Sequence, residues 1–314
     1  MKALVYNRKC QPDKLVYSDV PKPIPKEDQV LIRIHAASVN AADYRSIKMG
    51  LIPKKKIFGS DIAGKVEEVG QLIQRFKIGD EVIGDLSGNG LGGFAEYVVA
   101  PEKVLVSKPE KIPFEQAAAL PMAAVTALQA LRNKGNIQKG QKVLIVGSSG
   151  GVGTFAVQLA KNFGSVVTGV CSTKNVGQTK SLGADQVVDY TKEDFTKIDD
   201  TYDLILAVHG NRPLSTYKKI LNPNGIFVVI GGGLSQLFSS LIFGRLMFLG
   251  SKKICTLMAK PNQADLEFIA KLVANGKIRP VIDRSYTLEE ASEAMQYVGE
   301  RHARGKVVVN VVPR

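Results

Sequence analysis

The feature that most constrains the fold is a glycine-rich turn between an apolar strand and a helix. The sequence reads VLIVGSSGGVG over residues 143–153, with a helical pattern from 153 to 163. Because glycine has no Cβ, such a turn lets the backbone approach a pyrophosphate, and a helix N-terminus offers it free N–H groups. The G-x-x-G-x-x-G spacing therefore predicts a dinucleotide-binding turn, with close packing alone as the alternative. The residues predicted to contact the cofactor here are Ser149, Gly150, Gly151 and Val152.

Strands and helices alternate through the rest of this region. Six short apolar runs predict strands at 143–146, 166–171, 186–189, 204–208, 226–230 and 254–258. The segments between the first five of these strands include helical patterns at 153–163, 175–182 and 214–221. Strands that are apolar on both faces and joined by helices indicate a parallel sheet covered on both sides. An α/β, doubly wound Rossmann domain over residues 123–260 is the prediction.

The sequence on either side of this domain is different. Residues 1–120 contain short β-branched runs separated by Gly, Pro and Asp, which indicates a β-rich domain. The alanine-rich stretch 115–131 is helical in propensity. After the sixth strand come a helix over 264–275, a capping box at Thr287 and Glu290, and a strand over 306–311. Because the sheet is already complete, residues 261–314 are expected to join residues 1–122 in one domain.

Charge and cysteine content limit the classes of partner. The 42 basic and 29 acidic residues give a net charge of +13, which attracts anions. The charges are scattered apart from the lysines at 54–56, so a solvated basic surface is favoured over a nucleic-acid site. Three widely spaced cysteines argue against disulfides and cysteine-rich metal sites. Without a signal-peptide pattern in residues 1–10, a reducing, cytoplasmic setting is expected.

The end of the second strand bears on the choice of nicotinamide cofactor. A domain that binds NAD normally ends this strand with an acidic residue, which accepts hydrogen bonds from the ribose 2′-hydroxyl. Here the strand ends in Cys171, Ser172, Thr173 and Lys174, without a carboxylate. Two hydroxyls and an ammonium group suit a 2′-phosphate, so Ser172, Thr173 and Lys174 are predicted to bind that group of NADPH.

The chain resembles the medium-chain dehydrogenase/reductase superfamily in its quinone oxidoreductase-like branch, and within it the chloroplast envelope quinone oxidoreductase homologues. The resemblance to the branch rests on the glycine turn and on motifs at VNAAD (39–43), GSDIAGKV (59–66), GGFAEY (92–97), LPMAAVTA (120–127), LGAD (182–185) and GKVVV (305–309). The likeness to the chloroplast envelope homologues rests on SKK (251–253) and KPN (260–262). The resemblance to the branch implies that the β-rich domain is a GroES-like catalytic domain, and that the protein is a homodimer.

The resemblance also implies site residues. Around the nicotinamide and its ribose it places Asn40, Asp43, Thr126, Gly231 and Gly232. It places Tyr190 beside the 2′-phosphate, and His209 next to the cofactor. Tyr44 is the candidate catalytic residue, as a hydrogen-bond donor to the substrate oxygen, and an aromatic wall is the equally weighted alternative.

The departures from zinc alcohol dehydrogenases predict the reaction class. Those enzymes have a cysteine at the position of Asn40 and a histidine at that of Ser60, and residues 84–100 contain no cysteine for a structural zinc. Asp61, at the position of a glutamate beside their metal, is expected to have a structural role. Without zinc to stabilise an alkoxide, alcohol oxidation is disfavoured. Hydride addition to a quinone or enone gives a delocalised anion, which positioning and hydrogen bonds can support.

The sequence thus predicts a zinc-independent, NADPH-dependent oxidoreductase that reduces quinones or α,β-unsaturated carbonyls. The alternative is a nucleotide-sensing or RNA-binding protein on the same fold with little turnover, which the net charge and the lack of an evident catalytic acid suggest. For the apolar stretch 234–249, packing in the core or in an interface such as a dimer contact is favoured. A cover over an apolar substrate pocket and peripheral membrane docking are the alternatives.

Overall fold

The computed structural model describes residues 1–7, 15–210, 212–231 and 250–312. Two compact units are present, one formed by residues 1–125 with 261–314 and the other by residues 126–260. Cys10, Gly232 and the stretch 234–249 lie outside the described residues, so the predictions made for them stay predictions. Among the described helices, none is long and apolar enough to cross a membrane.

The strands in chain order are β1 Lys2–Val5, β2 Val16–Asp19, β3 Gln29–Val39, β4 Asp61–Val69, β5 Glu81–Asp85, β6 Tyr97–Pro101, β7 Leu105–Ser107, β8 Lys142–Val146, β9 Val166–Cys171, β10 Gln186–Asp189, β11 Tyr202–Ala207, β12 Leu221–Val229, β13 Lys253–Thr256, β14 Ile282–Thr287 and β15 Lys306–Asn310. The helices are α1 Ala41–Lys48, α2 Phe114–Ala118, α3 Pro121–Leu128, α4 Gly151–Asn162, α5 Val176–Ser181, α6 Leu214–Lys219, α7 Gln263–Ala274 and α8 Ala291–Gly299.

The first unit is built on a mixed sheet in the order β14-β15-β3-β4-β5-β7, with β6 also paired to β3. The closing strand β15 runs antiparallel to β3, with Val307 opposite Val39. On the other side of β3, Ser38 lies opposite Asp61 at the start of β4. The end of β3 and the starts of β4 and β15 therefore meet at one edge of this sheet, which brings their polar residues together.

The second unit is a parallel sheet in the order β10-β9-β8-β11-β12-β13 among the described strands. This confirms the α/β doubly wound prediction, and the strand order reverses between β8 and β11. Ligands of such sheets bind at the carboxyl ends of the strands near that reversal. The segments after β8, β9, β10, β11 and β12 carry the glycine turn, Ser172, Tyr190, His209 and Gly231 respectively.

Two helix predictions are confirmed with changed bounds. The alanine-rich stretch 115–131 is helical as predicted but is interrupted, because α2 ends at Ala118 and α3 begins at Pro121. Proline lacks an N–H and restricts the residue before it, so Pro121 begins a new helix instead of continuing the old one. The backbone N–H of Thr287 donates to Glu290 Oε2 at 2.8 Å, as a capping box requires. The regular helix nevertheless begins later, at Ala291.

Candidate cofactor site and buried polar cluster

Three glycines of the predicted dinucleotide turn differ in why a glycine is needed at each position. Gly147 has a φ of +88°, and a Cβ there would lie 3.0 Å from the Cβ of His209, which follows β11. A Cβ on Gly153 would overlap the carbonyl oxygen of Gly147. At Gly150 a Cβ would meet only the Gly147 oxygen, at 3.9 Å, among the described atoms. The first and last glycines are therefore required by packing, whereas Gly150 faces open space.

The N-terminus of α4 supplies the anion-binding groups. Its first helical hydrogen bond runs from Thr154 N to the Gly150 carbonyl at 2.9 Å. The N–H groups of Gly151, Val152 and Gly153 precede it and have no acceptor within the helix. Their combined partial positive charge favours a pyrophosphate. The residues present fit the phosphate groups of a dinucleotide, and the prediction for Ser149 through Val152 is kept as a proposal.

The end of β9 is tied to the glycine turn by a residue that the sequence analysis missed. The side-chain N–H₂ of Asn175 donates to Ser149 Oγ at 3.0 Å and to Ser172 Oγ at 3.2 Å. Asn175 is buried, whereas Ser172 is partly exposed and Lys174 is exposed. One amide thus links the two segments predicted to bind the cofactor. An asparagine at the first position of the predicted helix 175–182 was the available signal, because asparagine is a common N-cap residue.

A carboxylate also reaches this region from the next strand. Asp189 lies opposite Cys171 in the pairing of β10 with β9. Its side chain accepts hydrogen bonds from Thr173 Oγ1 at 2.6 Å and from Thr191 Oγ1 at 2.7 Å. The bond from Thr173 is the main cause that holds the pKa of Asp189 below its usual range, so it is ionised at neutral pH. Asp189 ends β10 and not β9, so the residues that follow β9, 172–174, do not reveal it.

The remaining cofactor predictions in this unit have the following positions. Tyr190 is 58% exposed, and its backbone N–H donates to the Cys171 carbonyl at 3.0 Å. His209 is exposed. Gly231 N donates to the Ala207 carbonyl at 3.2 Å, and a Cβ on Gly231 would lie 2.6 Å from the Val208 oxygen. Thr126, in α3, is buried. Their roles toward the cofactor stay predictions.

In the first unit, Asn40, Asp61 and Lys306 form a buried polar cluster. Lys306 Nζ donates to Asn40 Oδ1 at 2.6 Å and lies 3.3 Å from Asp61 Oδ2. Asn40 Nδ2 donates to Asp61 Oδ2 at 2.8 Å and to Ser60 Oγ at 3.3 Å. Ser38 Oγ also donates to Asp61, at 2.8 Å. These hydrogen bonds agree with the structural role expected of Asp61. They also give a role to Lys306, for which the sequence predicted none.

These contacts are unsuited to a zinc ion. Zinc in proteins is held by thiolate, imidazole or carboxylate donors in a closed or nearly closed tetrahedron. At the two positions where the zinc enzymes have ligands, this chain has Asn40, whose N–H₂ group points at its neighbours, and Ser60. The Lys306 ammonium already supplies the positive charge that faces Asp61. A second cation beside Lys306 would be repelled, so the donor set does not fit zinc.

Two further carboxyl groups, those of Asp43 and Asp85, lie near this cluster. Burial is the main cause that raises the pKa of Asp43 to about 7. Burial likewise raises the pKa of Asp85 to about 6, and the charge of Asp61 contributes to both. Asp43 also caps α1, because its Oδ2 accepts the backbone N–H of Asn40 at 2.9 Å. The predicted role of Asp43 beside the nicotinamide ribose stays a prediction.

Asp43→Asn is expected to remove part of the pH dependence of stability. The folded protein binds this proton more tightly than the unfolded chain, whose carboxyl has a pKa near 3.8. The stability that the proton contributes is complete below about pH 4 and is lost as the pH rises through about 7. Asparagine stays neutral, so the variant should gain on the order of 2 kcal/mol relative to the wild type between pH 5 and pH 8. Urea unfolding of both proteins across this range measures the difference, and parallel curves would contradict the prediction.

Tyr44 is held in place by packing. A Cβ on Gly299 of α8 would overlap the Tyr44 ring carbons, so the ring lies directly on the Gly299 backbone. Lys48 Nζ lies 5.0 Å from the ring centroid. These contacts explain why an aromatic residue stands here without any catalytic demand. Its role as a donor to the substrate oxygen stays a prediction beside that of an aromatic wall.

Comparison with known proteins supplies the family. A zinc-binding dehydrogenase family matches residues 182–309, and the alcohol dehydrogenase GroES-like domain matches residues 26–110. A chloroplast envelope quinone oxidoreductase homologue of Arabidopsis thaliana is 36% identical over 94% of this chain and 93% of its own length. An NADPH-dependent alkenal/one oxidoreductase from the chloroplast of the same plant is 33% identical over 100% of this chain and 80% of its own.

A solved structure shows the same likeness. The quinone oxidoreductase of Coxiella burnetii superposes with a TM-score of 0.90, at 32% identity, over 99% of both chains. The β-rich unit with its GroES-like match, the parallel sheet of the second unit and these relatives agree with one another. The chain is therefore an oxidoreductase and belongs to the quinone oxidoreductase-like branch of the medium-chain dehydrogenase/reductase superfamily.

Proposed function

We propose that this protein transfers a hydride from NADPH to a quinone or an α,β-unsaturated carbonyl, without a zinc ion. The observation that carries the proposal is the cluster of Asn40, Asp61 and Lys306, whose buried groups satisfy one another where zinc relatives hold their metal. An alcohol substrate needs its developing alkoxide stabilised by such a metal. A conjugated acceptor spreads the negative charge over its own π system, so positioning and hydrogen bonds suffice.

The cofactor assignment rests on the second unit. The free N–H groups at the start of α4 support the pyrophosphate, and the hydroxyl of Ser172 and the ammonium of Lys174 support a 2′-phosphate. The relative from Arabidopsis thaliana that is named an NADPH-dependent alkenal/one oxidoreductase points the same way. When bound, NADPH supplies the hydride. The chain's own groups hold its phosphates and orient it, and water is the proposed proton source for the enolate or phenolate product.

The test is NADPH oxidation by the purified protein with a panel of simple quinones, an enone, an alkenal and a saturated ketone, each repeated with NADH. Turnover with the conjugated acceptors, absent with the saturated ketone and faster with NADPH, is the expected result. Pretreatment with a chelator should leave the rates unchanged. Loss of activity after chelation and recovery with zinc would overturn the metal-free part. Tight NADPH binding with silence across the whole panel would favour the nucleotide-sensing alternative.

A further inference from the structure

The hydroxyl groups near the predicted 2′-phosphate site differ in which way their protons point. A serine or threonine hydroxyl has a single proton to donate, and its lone pairs only accept. An ionised phosphate accepts hydrogen bonds, so a hydroxyl binds it well only when its own proton is not already given to a protein group. The partners of these hydroxyls within the protein therefore determine which of them serve as phosphate ligands.

Asn175 leaves two hydroxyl protons available. Its N–H₂ group donates into Ser149 Oγ at 3.0 Å and Ser172 Oγ at 3.2 Å, so both serine oxygens act as acceptors toward the protein. Each serine proton is then left to donate outward. The two serines belong to different segments, the glycine turn and the end of β9, and one amide sets the orientation of both.

The burial of Asn175 supports this role. The residue is 6% exposed, and its Oδ1 is buried without a hydrogen-bond partner among the described residues. A buried acceptor left unpaired is unfavourable, and in native proteins such a group usually has a specific explanation, such as a ligand or a functional demand. Here the amide is oriented by the two hydrogen bonds that it donates to Ser149 and Ser172, and the unpaired oxygen is the cost of that orientation.

Asp189 has the opposite effect on Thr173. Its carboxylate accepts from Thr173 Oγ1 at 2.6 Å and from Thr191 Oγ1 at 2.7 Å, and the two threonine oxygens lie 2.8 Å apart. Each threonine proton therefore goes to Asp189 or to the other threonine. Both hydroxyls then present only lone pairs to a ligand, and these repel the oxygen atoms of a phosphate. The prediction that Thr173 binds the 2′-phosphate is therefore not supported by its hydrogen bonds.

We propose that Asn175 is a positioning residue for the 2′-phosphate of the cofactor, acting by holding the Ser149 and Ser172 hydroxyls as donors, while Asp189 withdraws Thr173 from that role. The proposal rests on the proposed use of NADPH. Asn175 is buried and Asp189 already bonds two threonines, so both would influence the choice of cofactor through neighbouring hydroxyls and not by touching the phosphate.

The test compares 2′,5′-ADP with 5′-AMP, which differ by the 2′-phosphate, in calorimetric titrations of the full chain. Ser172→Ala and Asn175→Leu are each expected to weaken 2′,5′-ADP about tenfold or more, as loss of a hydrogen bond to a charged group does. Binding of 5′-AMP should change by less than about threefold. Thr173→Val is the matched control and should leave both affinities within about twofold.

A double-mutant cycle separates positioning from a merely structural role. If Asn175 acts through Ser172, adding Ser172→Ala to Asn175→Leu should cost less than about threefold in 2′,5′-ADP affinity. Additive losses, or a Thr173→Val loss as large as that of Ser172→Ala, would overturn the proposal.

If Asn175→Leu does not fold, the Asn175→Asp variant replaces it, because aspartate has the same size as asparagine. Its carboxylate accepts both serine protons, so the loss should persist at high salt, where charge repulsion alone is screened. An Asn175→Asp variant that binds 2′,5′-ADP like the wild type would equally overturn it.

The NADPH assignment and the role of Asn175 can be refuted separately. A wild-type protein that binds 2′,5′-ADP no better than 5′-AMP would remove the NADPH assignment itself, and the role of Asn175 with it. A wild type that prefers 2′,5′-ADP, with Asn175→Leu unchanged, would leave the NADPH assignment standing and remove only the role of Asn175.

Discussion

Lys306→Met is expected to lower the free energy of unfolding by about 3–5 kcal/mol, because it leaves a buried carboxylate without its cation. Asp61 is 0% exposed and Lys306 is 3% exposed, so water cannot replace the ammonium. Ser38 and Asn40 would still donate to Asp61, each at 2.8 Å, but neither carries a charge to balance it. Urea denaturation at neutral pH, followed by circular dichroism, measures the change.

Two comparisons make this prediction specific. Lys142→Met removes an exposed lysine that pairs with Asp200 at 3.0 Å, and it should cost less than about 1 kcal/mol. Combining Lys306→Met with Asp61→Asn should recover part of the lost stability, because a neutral amide needs no cation. A Lys306→Met protein as stable as Lys142→Met, or a double variant no more stable than the single one, would show that the buried charges are not coupled as the contacts indicate.

Gly153→Ala is expected to abolish measurable NADPH binding and to destabilise the second unit by about 1–3 kcal/mol. The new Cβ would overlap the carbonyl oxygen of Gly147 and approach the carbonyl carbon of Ser148 to 2.8 Å. Both are backbone atoms of the turn itself, so the clash is relieved only by moving the segment that the phosphates would contact. Thermal unfolding and NADPH fluorescence titration measure the two effects.

Two other glycines provide matched controls. Gly150 has a φ of −83° and open space around it, so Gly150→Ala should fold normally yet weaken NADPH binding where the pyrophosphate approaches the backbone. Gly177 lies in α5, where none of the described residues has an atom within 4 Å of a new Cβ, and Gly177→Ala should stabilise the protein by about 0.5–1 kcal/mol. A Gly153→Ala variant that binds NADPH like the wild type would show that this turn does not hold the cofactor.

Local patterns in the sequence were sufficient for the second unit. The apolar strands and the glycine turn lie close to where periodicity and glycine chemistry place them; β9 and β10 have the predicted bounds. The helical propensity of residues 115–131 is confirmed as well, and the break between α2 and α3 lies at Pro121, whose effect on the helix is local.

The sequence by itself determined the strand and helix order, the glycine turn between β8 and α4 and the lack of cysteine and histidine at the zinc positions, because each of these depends on neighbouring residues or on residue type alone. Tertiary structure alone decided three contacts: Lys306 with Asp61, Asn175 with Ser149, and Asp189 with Thr173. These pairs are separated by 245, 26 and 16 positions in the chain. Strand pairing brings the first and third together, and the packing of the turn against the end of β9 brings the second. Their physical effect, a balanced buried charge or the direction of one hydroxyl proton, depends on distances of about 3 Å that no local pattern specifies.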